Sequence, residues 1–247
     1  MKCKIMVFLA IMAVGCFSLQ AKAAVNLGTA GDFAVLAGST VTNTGPSVID
    51  GGDVGVSPGS AITGFPPGIV VPPFTMHAAD GVALQAQNDL TTAYNAAAGL
   101  APTQNLTGQD LGGMTLLPGV YFFMSSAQLT GTLTLNNLGD PNAEFVFQIG
   151  STLTTASNSS VVNSGSGPDT DVFWAVGSSA TLGTGTEFTG NILAVASITM
   201  TTGSTILNGS ALARNGAVTL DDNRIITCGG TVAIDATSWA TVKSCYR

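Results

Sequence analysis

Charge is what this sequence has least of. Only 9% of its 247 residues are Asp, Glu, Lys or Arg, and it has a single His. So few ions exclude a disordered acidic tail. The seven basic residues, set against 14 acidic ones, exclude nucleic acid as a partner, because phosphate binding needs clustered Lys and Arg. Long apolar runs are missing too: none reaches the roughly 20 residues of a membrane-spanning helix. What the chain has in quantity is Gly, Thr and Ser, a composition that a helical bundle does not tolerate.

The first residues read as an export leader. Lys2 and Lys4 precede an apolar stretch, Ile5 to Phe17, and Ala21-Lys22-Ala23 forms a cleavage signal. We therefore expect a leader over 1–23 and a secreted, soluble product starting at Ala24. The rival export route is a lipid anchor on Cys16. Cleavage leaves four basic residues and two cysteines, Cys228 and Cys245, which an oxidising compartment allows to pair. Whether they are joined stays open. About 220 residues are enough for one domain.

Of the 224 residues from Ala24 onward, 50 are Thr or Ser, set in short apolar–polar alternations bounded by Gly. Such alternation predicts β-strands with one buried face. The segments starting at Gly150, Gly177, Ala196 and Gly216 superimpose. They place Thr154, Thr181, Thr199 and Thr219 in one column and Val161, Phe188, Ile206 and Ile226 in another. A third column holds Phe147, Trp174, Leu193 and Leu212, at the spacing of one solenoid turn. Stacked turns would line the interior with these apolar columns. Residues 38–51 fit the same template through Thr42 and Ile49, far upstream of the rest, so the solenoid is expected to be discontinuous in sequence.

One helix is expected, over about 76–98, with Thr75 as N-cap and Gly99 as C-cap. Its stripe of Ala79, Ala83, Ala86, Leu90, Ala93 and Ala97 lets it lie close against a flat surface. The Gly- and Pro-rich segment 54–73 reads as a loop region. Residues 229–247 read as a tail or cap.

Catalytic chemistry is hard to assemble. A nucleophilic Ser needs an oriented base, and His77 is the single candidate. Acid pairs such as Asp50 with Asp53, Asp169 with Asp171, and Asp221 with Asp222 fall in turns, where Asp stabilises the turn itself. No cofactor or metal is expected. What remains is a strip of Thr-rich turns, 157–160, 184–187 and 202–205, in equivalent places on successive coils. An uncharged array of hydroxyls and methyls is a surface that orders water. Thr and Asn also suit sugars, so an adhesin or polysaccharide-binding module is the alternative.

Long segments of the chain closely resemble the microbial ice-binding family. They run from Asn26 to Gly68, through Met76-His-Ala-Ala-Asp and its helix, and on through residues 129–135, 140–157, 172–194 and 212–223. The resemblance spans about residues 25–228 and makes 24–228 the expected ice-binding domain. It implies a mainly β, right-handed, discontinuous β-solenoid of triangular cross-section with a long α-helix alongside. It further implies adsorption to an ice crystal surface through one flat face, without catalysis or cofactor; a monomer is expected. Some family members carry a Thr-Ala/Gly-x-Thr/Asn pattern. Carried onto this chain, it makes Thr155, Asn158, Thr184, Thr186, Thr202 and Thr205 the expected ice-binding residues. Glu187 and the run Asp221-Asp222-Asn223-Arg224 depart from that pattern.

Overall fold

The computed structural model describes residues 25–140, 142–164 and 171–227. The expected leader, Cys228, Cys245 and the tail 229–247 lie outside the described residues.

Residues 33–78 wind first. Strands Phe33–Ala37, Thr40–Thr44 and Val48–Asp50 make one coil, Asp53–Val56, Ala61–Thr63 and Ile69–Val70 the next, and Met76–Ala78 starts a third. The segment expected to be a loop region is thus a full coil, paired strand by strand with the coil before it. Pro is tolerated because it sits at the corners and the three strands between them are short.

The helix follows, over Gly81–Ala98, and strands resume at Gln104. The remaining coils stack in sequence order back toward the first, until the strand Ala211–Ala213 pairs with Phe33–Ala37. Among the described residues three parallel sheets of nine, seven and eight strands result, giving a three-sided prism. The solenoid is discontinuous, as the sequence suggested: Thr42 pairs with Thr219, and Ile49 with Ile225.

The first sheet is buried on both sides. Its inward side chains include Tyr121, Phe147 and Trp174, stacked in file with ring centroids 5.4 and 3.8 Å apart. Its outward side chains, among them Phe33, Leu36, Val146, Leu193 and Leu212, form a second apolar cluster with the helix. Two of the sequence columns shift by one residue here. Trp174 pairs with Ile192 and Leu193 with Ala175, while Ile206 pairs with Ile225 and not Ile226. A one-residue step swaps faces, so Leu193 and Leu212 point out to the helix and not into the core.

The helix starts five residues later than expected. Asp80 is its N-cap, accepting from the Ala83 N–H, whereas Met76–Ala78 is a strand on the sheet edge. Gly99 is the C-cap, as expected. Ala83, Ala86, Leu90, Ala93 and Ala97 are buried against the sheet, while Ala79 lies before the helix. Eighteen residues span about 27 Å, which carries the chain toward the opposite end of the stack. Gln148 fixes the far end by donating to the Ala97 and Leu100 carbonyls at 2.8 Å. Arg214 lies 4.9 Å above the Tyr94 ring. No described helix is long and apolar enough to cross a membrane.

Candidate functional site

The helix covers the first sheet, which leaves the outer faces of the second and third. On the second sheet each strand is an apolar–Thr–apolar triplet or close to it: Ala180-Thr181-Leu182, Ile198-Thr199-Met200, Val218-Thr219-Leu220. Alternation turns the flanking residues inward and the central Thr outward. The register lines these up without a slip. Thr154, Thr181, Thr199, Thr219, Thr42 and Thr63 stand in one file, continued by Gln128 and, through an isolated bridge, by Asp110.

Two files of small residues flank the Thr file. Ser126, Thr152, Ser179, Ser197, Ala217, Thr40 and Ala61 lie two residues before it, and Thr130, Ala156, Gly183, Thr201, Asp221 and Thr44 two residues after. The result is a flat grid with spacings of about 4.8 Å across strands and about 7 Å along them. Its two charges lie at its margins. Asp110 is at one end, where burial raises its pKa but hydrogen bonds from Gly112, the Thr130 backbone and the Thr130 hydroxyl prevail and hold it below the ordinary value. Asp221 is on the corner file and accepts from the Thr202 hydroxyl.

The third sheet differs in chemistry. Ser160, Glu187, Thr205, Arg224 and Val48 share one file, while Val162, Leu207 and Ile69 are exposed apolar side chains. Charge and bulk alternate there, so it offers no repeating surface.

The expected binding residues fall mostly at the corner between these two sheets. Thr184 and Thr202 are exposed there, on corresponding corner positions. Asn158 is exposed in a left-handed turn conformation, φ 57°, matched by Gly185 and Gly203. Thr205 is half-buried on the third face. Thr155 and Thr186 are inside, 3% and 0% exposed, and cannot touch a crystal from there. Their hydroxyls bond each other at 2.8 Å. Thr155 takes the inward position that Leu182 and Met200 take on the next strands.

Thr186 belongs to a polar ladder buried beneath the corner, with Ser159, Ser204, Asn223 and Ser47. Ser159 donates to the Leu129 carbonyl, Thr186 to that of Ala156, and Ser204 to that of Thr201. These side chains give a second hydrogen bond to turn carbonyls that already accept a backbone N–H, at about 0.5–1.5 kcal/mol each. The Thr-x-x pattern at the corner is thus partly a folding device. The outward residues missing from the expected set, Thr154, Thr181, Thr199, Thr219, Thr42 and Thr63, carried a signal in the sequence: most of them form the first repeat column.

His77 lies on the edge strand, its Nδ1 2.7 Å from Asp80 and its Nε2 3.1 Å from the Thr75 hydroxyl. It ties the helix cap to the sheet. Among the described residues no group of three or more His, Cys, Asp or Glu could hold a metal.

Fold and face together define a discontinuous parallel β-solenoid that presents one flat, hydroxylated, nearly uncharged side. The chain belongs to the ice-binding-like family, whose model matches residues 35–226. It is 63% identical over 224 residues to an ice-binding protein of Nostoc sp. (strain HG1), covering 90% of this chain and 82% of that one. It is 34% identical to an ice-binding protein of Flavobacterium frigoris (strain PS1), over 81% of this chain and 75% of that one. Among solved structures, an ice-binding protein of Antarctomyces psychrotrophicus superposes with a TM-score of 0.78 at 42% identity, covering 83% of this chain and 99% of that one. One from an Arctic yeast superposes at 0.73 with 29% identity, over 85% and 97%.

Proposed function

We propose that this protein is a secreted ice-binding protein that adsorbs to ice through the outer face of the second sheet and so inhibits ice growth and recrystallisation. One observation carries the reading: six threonines stand in one unbroken file, with small residues on both sides and charge only at the margins. Each Thr holds a methyl and a hydroxyl at a repeat of the same order as oxygen spacings in ice. Water over such a surface is caged by the methyls and anchored by the hydroxyls, and a lattice-like layer needs only to merge with the crystal. Charged side chains would orient water differently, which is why the third face is the poorer candidate. The corner residues Ser157, Thr184 and Thr202 border the array and extend it. Function of this kind needs neither catalysis nor a cofactor, and a monomer suffices.

The test is a comparison of faces. Purified protein starting at Ala24 should shape ice crystals and show thermal hysteresis. Thr181→Tyr or Thr199→Tyr should remove most of that activity, Thr184→Tyr and Thr202→Tyr less of it, and Thr205→Tyr least, with thermal unfolding unchanged throughout. A wild type that neither shapes ice nor partitions into it would refute the function. Activity lost through Thr205 and kept through Thr199 would move the site to the third face.

A further inference from the structure

Of the two carboxylates bordering the grid, Asp110 closes one end, whereas Asp221 stands within a file. The register sets it between Thr201 and Thr44, one strand spacing of about 4.8 Å from each. Two residues before it on the same strand is Thr219, the central threonine that joins the downstream coils to Thr42. At physiological ionic strength a charge is screened over about 8 Å, a distance that takes in Thr219 and Thr44. A carboxylate at this place therefore bears on the water over the seam between the two ends of the chain.

The neighbouring corner turn is built to reach it. Gly203 N–H donates to the Asp221 carbonyl at 3.2 Å, which docks the turn after Thr201 on the strand that carries Asp221. Gly203 makes that approach in the left-handed region, φ 71°, where Gly is free of side-chain strain. The other side of Asp221 is held too: its N–H donates to Asn223 Oδ1 at 2.6 Å, and Asp222 N–H donates to the Thr44 carbonyl at 2.9 Å. With the backbone so fixed, the Asp221 carboxylate accepts from the exposed Thr202 hydroxyl. One coil earlier the same relation holds with a different partner. Thr184, the counterpart of Thr202, has its hydroxyl 3.4 Å from that of Thr201, the counterpart of Asp221. Each of these corner hydroxyls faces the flanking file of the next coil. At Thr201 it meets a neutral group, at Asp221 a charge, and a hydrogen bond to an ionised acceptor is the stronger of the two.

We propose that Thr202 is a positioning residue: its hydroxyl turns the Asp221 carboxylate toward the corner and satisfies it there, so that the array stays effectively uncharged across the seam at Thr219 and Thr42. An unmasked carboxylate would gather water into its own shell and oppose the lattice-like layer over the threonines. Thr202 thus acts through Asp221 and not by touching ice. This inference rests on the second sheet being the ice-binding face. It separates two alike corner residues, since Thr184 has no carboxylate to mask.

Thermal hysteresis of the purified protein tests it in a double-mutant cycle. Thr202→Val keeps the shape and the methyl but deletes the donor, and should lose most of the hysteresis. Thr202→Ser keeps the donor and deletes the methyl, and should retain it. Asp221→Asn should match or exceed the wild type, and Thr202→Val added to Asp221→Asn should cost little. Chemical denaturation midpoints should agree across these chains, which separates masking from folding. Thr202→Ala serves as a second donor-less variant should Thr202→Val fold poorly. An equal loss from Thr202→Val in both backgrounds, no loss in the wild-type background, or a loss in Thr202→Ser as large as in Thr202→Val would each overturn the proposal. Thr199→Tyr is measured alongside: hysteresis kept in that variant refutes the second-sheet face itself, whereas hysteresis lost there with an additive cycle refutes only the masking.

Discussion

Thr42 and Thr219 sit side by side on the second sheet, paired in register with their hydroxyls 3.4 Å apart, although 177 residues separate them in the chain. Upstream coils supply Thr42 and Thr63, and downstream coils supply Thr154 to Thr219. The proposed ice-binding array exists only because the last coil docks on the first.

That junction is fastened from below by Asn223. Its side-chain amide donates to the Thr201 and Ser204 carbonyls, its Oδ1 accepts from Asp221 N–H, and its own N–H donates to the Ser47 hydroxyl. Asn223→Ala removes these side-chain hydrogen bonds from the buried corner, at about 0.5–1.5 kcal/mol apiece. Chemical denaturation should show the loss of stability, and hysteresis should fall with it as Thr42 and Thr63 lose register with Thr219.

Buried and exposed threonines should respond oppositely. Thr186→Val keeps shape but deletes the hydroxyl that meets Thr155 and the Ala156 carbonyl. Stability should drop by about 1–3 kcal/mol, with ice activity preserved in the folded fraction. Thr199→Tyr should change stability by no more than about 0.5 kcal/mol and lose most of the hysteresis. Denaturation and ice assays on the same samples separate the two effects.

Trp174 is the keystone of the interior. It is fully buried, stacks on Phe147 with planes 7° apart, and donates from Nε1 to the Thr189 carbonyl at 3.1 Å. Trp174→Ala should cost about 3–5 kcal/mol through cavity formation. Thermal unfolding should report it as a lowered unfolding temperature.

Acid should weaken the helix attachment. Hydrogen bonding from the Ala83 N–H, reinforced by His77, holds the Asp80 carboxyl below its ordinary 3.8, and the Thr29 hydroxyl and backbone do the same for Asp89. A carboxyl depressed in the folded state stabilises above its unfolded pKa and loses that contribution as pH falls through the folded value. The unfolding temperature should therefore hold above about pH 4 and decline below 3.8, less steeply in Asp80→Asn. A decline equally steep in Asp80→Asn would refute this.

Much of this was legible in the primary structure because solenoid coils repeat. Thr154, Thr181, Thr199 and Thr219 are a column both in the alignment and in space. The outlying Thr42–Ile49 segment was recognisable as a coil for the same reason. Misreadings arose where a one-residue shift matters, as at Leu193 and Ile226, and where local pattern competes with pairing, as at Met76–Ala78, which the strand Asp53–Val56 captures from the helix.

The amino-acid sequence by itself determined the composition of the faces: sparse charge, Thr at alternating positions, Ala along one helix stripe, and a repeat length that fits one coil. These are local properties, written in neighbouring residues. Tertiary structure alone decided which threonines look outward. Thr154 and Thr155 are adjacent and alike, yet the strand pleat sends one to solvent and the other to a hydroxyl partner beneath the corner. It also decided which face stays bare, because the helix buries the first sheet, and it completed the array by joining coils from the two ends of the chain. Pairing at that distance depends on loop closure and packing across the whole stack, which no short stretch of sequence specifies.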